Sequence, residues 1–434
     1  MLEGKTVAPL TLGCKVNQYE TDGMVELLKD AGASVVDFHE KADIYLINTC
    51  SVTNVADKKS RQMIHRARKL NPDAVVIAAG CYAQAAKEKL LEDGQVSIVV
   101  GNNKKKEIVR ILSDYLAEGV TENGLLDISG EKEYETLEIT RTLDHTRAYV
   151  KIQDGCNQFC SYCIIPYVRG RIRSRELDSI LDEVARLAES GVKEIVLTGI
   201  HISSYGKDKE NGMTLADVID AISKIESIER IRLGSLEPGI ITRDFVDAIA
   251  KNKKVCPHFH LSLQSGCDSV LKRMNRKYTC DEYLEKCDML REAYDRPALT
   301  TDVIVGFPGE TEDEFRQTYD YLKKLNLYEM HIFKFSPRKG TVAAAMKEQV
   351  APEIKNHRSD ILLSLAEENK KKYEDSFRGE SLDVLVEEKT EKDGKIYFRG
   401  HTERYLDVFA EAEKLYDICG RNDDIVNHIV KIPY

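Results

Sequence analysis

The chain has 434 residues, 42% hydrophobic and 31% charged, an ordinary balance for a globular protein of about three domains. No apolar run approaches the ~18 residues of a membrane span, and the opening MLEGKTVAPLTLG reads as a first strand in place of a signal peptide. The net charge of −10 excludes a broadly basic surface, so any nucleic-acid site must be a local patch; eleven cysteines without a secretory signal point to a reducing cytoplasm and to metal ligation.

Residues 1–137 alternate strands and helices. Strands are predicted over 7–13, 43–49, 74–80 and 96–100, with helices over 17–30, 54–70 and 83–92 between them. Asn54 reads as a helix cap, and Asn71-Pro72 as a stop. This alternation predicts a parallel-sheet α/β domain with helices on both faces. Cys14, Cys50 and Cys81 each fall just after a predicted strand. In an open parallel sheet all such ends share one edge, where ligands bind. Three thiolates converging there would hold a metal cluster with one metal site left open. The plainer alternative is three unrelated core cysteines. The polar stretch from about Glu118 to Thr142 reads as a linker.

The densest chemical signal is Gly155-Cys156-Asn157-Gln158-Phe159-Cys160-Ser161-Tyr162-Cys163, spaced C-x3-C-x2-C. Such close thiolates suit one metal centre. Structural zinc is closed by four ligands, and a 4Fe–4S cluster usually takes four cysteines. With three supplied, one iron stays free. A zinc knuckle with a distant fourth ligand, such as Cys267 or a histidine, is the alternative.

Five further β/α units follow the strand over 148–154. Strands are predicted at 194–198, 230–234, 258–263, 299–305 and 329–335, with helices near 178–189, 215–225, 243–251, 280–293 and 311–325. Six units are too few for an eight-fold barrel. Active sites of such folds lie at the strands' carboxyl ends, which nominates Thr198, Gly199, Ser235, Glu237, Gln264 and Asp302. Each alone is as readily a turn or cap residue. Cys280 and Cys287 read as core, and His201 as structural. The segment 351–377 reads as a charged helix with Leu362, Leu363 and Leu365 as its apolar stripe. Residues 378–434 read as short strands over 382–387, 395–400, 405–409 and 424–432, with turns at Gly394 and Gly420. Basic stretches at Lys58–Lys69, Asn103–Lys106 and Arg169–Arg175 are RNA-patch candidates or solvated faces.

The cysteine motif with its aromatic before the last cysteine resembles the signature of radical S-adenosylmethionine (SAM) enzymes. Its continuation IIPYVRGRIRSR, with GCKVNQYE, INTCSVT and GCYAQ around Cys14, Cys50 and Cys81, resembles the methylthiotransferases in particular. The resemblance spans the chain in family order. It implies a partial (β/α)6 barrel over 142–377 and, over 378–434, a small OB-like β-barrel of the TRAM type that binds RNA, through residues such as Lys389, Lys395, Arg399 and Arg404. It further implies two 4Fe–4S clusters, an auxiliary one on Cys14, Cys50 and Cys81 and a SAM-binding one on Cys156, Cys160 and Cys163. SAM would be methyl donor and radical source, with Tyr162 near its adenine and the strand-end residues around its ribose and amino-acid part. The implied reaction is C2-methylthiolation of N6-threonylcarbamoyladenosine 37 in cytoplasmic tRNA, fed by an electron donor such as flavodoxin or ferredoxin, with no membrane partner. Isopentenyladenosine 37 or a ribosomal-protein aspartate are the other family substrates. A non-enzymatic, zinc-containing RNA-binding protein is the reading from a different class.

Overall fold

The computed structural model describes residues 2–119, 125–137, 139, 146–413, 415 and 425–434. Cys419, Gly420, Asp424 and part of the expected linker lie outside the described residues.

The first body comprises β1 (Thr6–Thr11), α1 (Lys15–Asp30), β2 (Ser34–Val35), β3 (Ile44–Thr49), α2 (Asn54–Leu70), β4 (Val75–Gly80), α3 (Cys81–Ala85), α4 (Lys87–Glu92), β5 (Ile98–Val100) and α5 (Ile108–Glu118). All pairs are parallel, in the order β2-β1-β3-β4-β5. β3 is buried along its whole length, as a strand covered on both faces must be. One face packs Ile64 and Ala67 of α2 with Leu90 of α4. The other packs Met24, Val25 and Leu28 of α1 with Ile111 and Leu112 of α5. The cap of α2 is Thr53, whose hydroxyl accepts from Ala56 N, not Asn54. The single helix expected over 83–92 breaks at Ala86 into α3 and α4.

The described part of the polar 118–142 stretch is no free tether. Leu137 is buried beside Tyr19, whose hydroxyl donates to Leu137 O at 2.7 Å. Tyr134 reaches across to Lys151 O at 2.7 Å.

The second body contains β6 (Arg147–Asp154), α6 (Ile165–Arg169), β7 (Arg173–Ser174), α7 (Leu177–Glu189), β8 (Glu194–Gly199), α8 (Leu215–Ser223), β9 (Arg230–Leu233), α9 (Arg243–Ala250), β10 (His258–His260), α10 (Asp268–Arg273), α11 (Cys280–Ala293), β11 (Ala298–Val305), α12 (Glu312–Leu325), β12 (Glu329–Lys334) and α13 (Pro352–Asp375). β6, β8 and β9 pair in parallel, as do β10, β11 and β12, and single bridges at Ile231–Val255 and Leu236–Leu261 join the two halves. This is a six-stranded partial barrel. Side chains alternate between the faces of a strand. Phe259, Leu299, Val303 and Met330 pack outward into the main core, so His260, Thr300, Asp302 and His331 face the lumen. On α13, Leu362 and Leu365 are buried but Leu363 is exposed, because it falls off their helical face.

The C-terminal sheet joins β13 (Ser381–Lys392), β14 (Lys395–Thr402), β15 (Asp407–Glu411) and β16 (Ile429–Pro433), antiparallel in the order β15-β14-β13-β16. It is a half-barrel around Val384, Val386, Phe398 and Ile432. Among the described residues no helix is long and apolar enough to cross a membrane.

Candidate metal centres and active site

β1, β3 and β4 lie side by side and end on one edge. Cys14, Cys50 and Cys81 are carried past those ends. The strand order thus gathers residues far apart in sequence. Gly13, at φ +113°, lets the Cys14 loop pass Cys50, since a Cβ there would meet Cys50 Sγ at 3.0 Å. Burial pushes the Cys50 thiol up to about 11, with the Cys81 and Cys14 thiols adding to the rise. Burial also pushes Cys14 up, against the pull of Arg169. Cys14 nevertheless keeps solvent-accessible surface.

Cys156, Cys160 and Cys163 lie on the loop from β6 to α6. Gly155 turns that loop at φ +71°, where a Cβ would lie 1.8 Å from Arg171 O. Phe159 sits at φ +49°, a conformation a non-glycine residue holds only when its surroundings impose it. Asn275 Nδ2 pins it by donating to Phe159 O at 2.9 Å, and Ser161 N donates to Met274 O at 3.0 Å. Arg276 Nη1 donates to Cys160 Sγ at 3.2 Å. Burial pushes Cys156 up to about 11 and Cys163 up to about 12, with Cys160 raising both further. Without a bound cation these thiols stay protonated at neutral pH. Binding a metal must release their protons.

Among the described residues, one group of His, Cys, Asp or Glu side chains brings three ligand atoms within 4.8 Å of one another, and it is His260, Asp302 and His331. Neither cysteine triad is that tight. A tetrahedral zinc ion, with Zn–S of about 2.3 Å, would draw its sulfurs to about 3.8 Å apart. Neither triad is gathered tightly enough for that arrangement.

A cavity of about 570 Å³ lies beside residues adjoining both triads, and its lining includes Ser51, Tyr82, Ile164, Tyr167, Arg338 and Lys339. Three of these directly follow Cys50, Cys81 and Cys163 in sequence. Arg338, on the loop after β12, donates to Ser51 Oγ at 2.8 Å and pairs with Asp57 at 2.8 Å, which ties the barrel's open side to the first sheet.

The strand-end nominations separate. Glu237 is drawn to the second triad, since it meets His201 Nε2 at 2.9 Å and Arg276 at 3.5 Å. Ionic and hydrogen-bonded partners hold its carboxyl below the ordinary range despite burial. Tyr162 packs on the cluster of Cys267, Phe307 and Phe335. Gln264, at φ +75°, donates its N–H to Asp302 O at 2.9 Å. Thr198 is buried on β8, and a Cβ on Gly199 would meet Gln153 O at 2.8 Å, so the close approach there is to the chain itself. Ser235 is exposed just beyond β9. Asp302 meets His260 Nε2 at 3.4 Å. Arg276, His260 and His331 had no motif to announce them. His201, expected from sequence to be structural, sits against Glu237 and Gln158.

Two basic stretches are largely turned inward, leaving Lys106 and Arg171 exposed. Lys105, Arg169, Arg173 and Arg175 are all buried. On the C-terminal sheet, Arg399 is paired with Asp407 and Glu388, Lys395 with Glu411, and Arg404 donates to Arg296 O and Asp295 O. Lys58, Lys59, Arg66 and Lys69 of α2 remain exposed.

A six-stranded partial barrel with a three-cysteine loop after its first strand defines a radical SAM enzyme. The family model for the Radical SAM superfamily matches residues 150–322, and that for the Uncharacterized protein family UPF0004 matches residues 6–101. The chain belongs, more narrowly, to the tRNA methylthiotransferase family. It is 40% identical over 428 residues, 98% of this chain and 93% of the relative, to the threonylcarbamoyladenosine tRNA methylthiotransferase MtaB of Bacillus subtilis (strain 168). It is 36% identical to the tRNA-2-methylthio-N(6)-dimethylallyladenosine synthase of Thermodesulfovibrio yellowstonii, over 95% of this chain and 94% of that one. Among solved structures, the radical SAM methyltransferase TsrM from Kitasatospora setae aligns with a TM-score of 0.58 at 15% identity, covering 78% of this chain and 77% of the other. That likeness concerns the fold.

Proposed function

We propose that this chain methylthiolates C2 of N6-threonylcarbamoyladenosine at position 37 of tRNA, using SAM and two 4Fe–4S clusters. The observation that carries the reading is the pair of three-cysteine sets, whose flanking residues Ser51, Tyr82 and Ile164 line one cavity. Cys156, Cys160 and Cys163 would hold the SAM-binding cluster, and Cys14, Cys50 and Cys81 the auxiliary one. When bound, these groups supply hydrogen abstraction from an unactivated C–H bond and the sulfur to be inserted, chemistry that side chains alone lack. Three cysteines per site leave one iron of each cluster without a protein ligand. Tyr162, Thr198, Gly199, Ser235, Glu237, Gln264 and Asp302 would surround SAM. The sites divide among 1–137, 142–377 and a C-terminal RNA-binding TRAM segment, 378–434. A cytoplasmic setting with flavodoxin or ferredoxin as electron donor completes the reading.

The barrel wall favours the threonylcarbamoyl substrate over the isopentenyl one. His260, Asp302 and His331 supply hydrogen-bond donors and an acceptor on the lumen face. A ureido group with its hydroxyl and carboxylate can hydrogen-bond to this polar wall, whereas a prenyl group offers it no hydrogen bond, and a site built for hydrogen bonds rejects analogues that lack them.

The test is iron and sulfide content of anaerobically reconstituted protein, with nucleoside analysis of tRNA treated with it. About eight irons per chain, falling to about four when either cysteine triad is replaced by alanine, is expected. Zinc without iron, or unmodified threonylcarbamoyladenosine after reaction, refutes the proposal.

A further inference from the structure

The stretch Arg169–Arg175 folds inward, and Arg169 is fully buried. It ends α6, six residues past Cys163, yet its guanidinium lies among the cysteines of the other body. Nε donates to Cys81 Sγ at 3.2 Å. Nη2 donates to Asn17 Oδ1 at 2.8 Å and to Glu20 Oε2 at 3.0 Å. Nη1 donates to Glu20 Oε1 at 2.8 Å and to Asp154 Oδ1 at 3.1 Å. Asn17 in turn donates to Leu12 O at 2.7 Å and Thr49 O at 3.1 Å, the backbone just ahead of Cys14 and Cys50. One guanidinium therefore touches Cys81 directly and steadies the other two cysteine loops through one asparagine.

The charges around it do not balance. Glu20 also meets Lys105 at 3.1 Å and Lys151 at 2.8 Å, while Asp154 meets Lys151 at 2.6 Å and Arg173 at 3.8 Å. Within ion-pair distance two carboxylates thus face four cations, each of these side chains at most 4% exposed, with Glu131 adding a more distant negative charge near Arg173. Arg173 Nε and Nη2 have no hydrogen-bond partner. Uncompensated buried cations are costly. Three neutral thiols do not offset them; a cluster held by three thiolates does.

We propose that Arg169 is a positioning residue for the auxiliary cluster. It hydrogen-bonds the Cys81 sulfur, supplies the positive field that favours an anionic cluster, and locks that site to the loop bearing the second triad. The lock runs through Asp154, whose Oδ1 accepts from Gly155 N at 2.8 Å. Hydrogen bonds and charges at cluster sulfurs set reduction potential. The inference rests on the reading that Cys14, Cys50 and Cys81 hold a cluster.

The test uses the full chain with Cys156, Cys160 and Cys163 replaced by alanine, so that only the auxiliary site can load. About four irons per chain are expected; none would sink the ligand reading and this inference with it. In protein grown on 15N-arginine and reduced with dithionite, pulsed EPR is expected to show a 15N coupling to the cluster that Arg169→Lys abolishes. Redox titration is expected to rank the midpoint potentials, from highest to lowest, as parent, Arg169→Lys, Arg169→Gln, because losing the fork and then the charge destabilises the reduced cluster. A loaded cluster without arginine coupling, or an Arg169→Gln variant that titrates with the parent, overturns the assignment of Arg169 alone. Should the variants not fold, the coupling in the parent protein decides.

Discussion

Replacing Glu194 by glutamine is expected to loosen the C-terminal sheet from the barrel. Glu194 opens β8 with no exposed surface and receives Arg232 at 2.7 Å, Arg147 at 3.1 Å and Arg230 at 3.7 Å. Burial alone would raise its carboxyl, but Arg232, Arg147 and Arg230 hold it at about 2, below the ordinary 4.5. At ~1.36 kcal/mol per pH unit that fall corresponds to about 3 kcal/mol, in line with the ~3–5 kcal/mol lost when one partner of a buried ion pair is removed. The same arginines hold the C-terminal sheet. Arg230 donates to Asp383 O at 2.7 Å and His401 O at 3.1 Å, and Arg232 donates to Glu403 O at 2.9 Å and Thr402 O at 3.2 Å. Arg147 pairs with Glu387 and lies over the Tyr405 ring. Because the folded value lies below the unfolded one, the stabilisation is complete above pH ~4.5 and is lost as pH falls toward 2. Glu194→Gln is expected to raise the opening of β13 and β14 about 100-fold at pH 7, read as hydrogen exchange in peptides 381–392 and 395–402. Its acid titration by near-ultraviolet circular dichroism is expected to be flatter than the parent's between pH 4.5 and 2. Unchanged exchange in those peptides would refute the account.

Gly155→Ala is expected to remove about four irons per chain, because the new Cβ would lie 1.8 Å from Arg171 O and the cysteine loop must move; full iron content would contradict this. His331→Phe is expected to lower kcat/KM on threonylcarbamoyladenosine-37 tRNA by about 10- to 100-fold, the scale of a hydrogen bond to a charged group, while narrowing the preference over isopentenyladenosine-37 tRNA. An unchanged ratio between the two tRNAs would clear His331 of a role in selection. Asn275→Ala removes the donor that holds Phe159 at positive φ, and is expected to cost about 1–3 kcal/mol of local stability at the second triad; iron release from that site by chelator at an unchanged rate would contradict it.

Strand-end cysteines were legible because a parallel sheet has one carboxyl edge, so Cys14, Cys50 and Cys81 could be gathered from sequence alone. The six barrel strands were legible as apolar runs between amphipathic helices. What escaped was the identity of partners. Arg169 and Lys105 look like surface charge in a linear chain, yet their counter-charge is Glu20, 149 residues before Arg169. Local pattern carries no such information. His260 and His331 sit on strands whose periodicity marks them as inward, but a lumen face and a solvent face read alike until the barrel closes. The polar 125–137 segment lacks period because it packs through Leu137 and Tyr134, one residue at a time. Leu363 shows the same limit at short range, since three leucines in four positions cannot all share one helical face.

The inward fold of Arg169 also sets a timetable for synthesis. Glu20, Asn17 and Cys81 leave the ribosome well before the guanidinium that completes them, and the hydrogen bond from Arg169 to Asn17 spans 152 residues. At ~5–20 residues per second the N-terminal sheet, complete at β5, waits about 3–14 s for that partner. During this interval its thiols stand without their counter-cation, and Glu20 has no arginine to meet. On the proposed assignment, stable loading of the first site therefore awaits the loop after the barrel's first strand, and a nascent chain arrested before residue 169 should carry its cysteines as bare thiols.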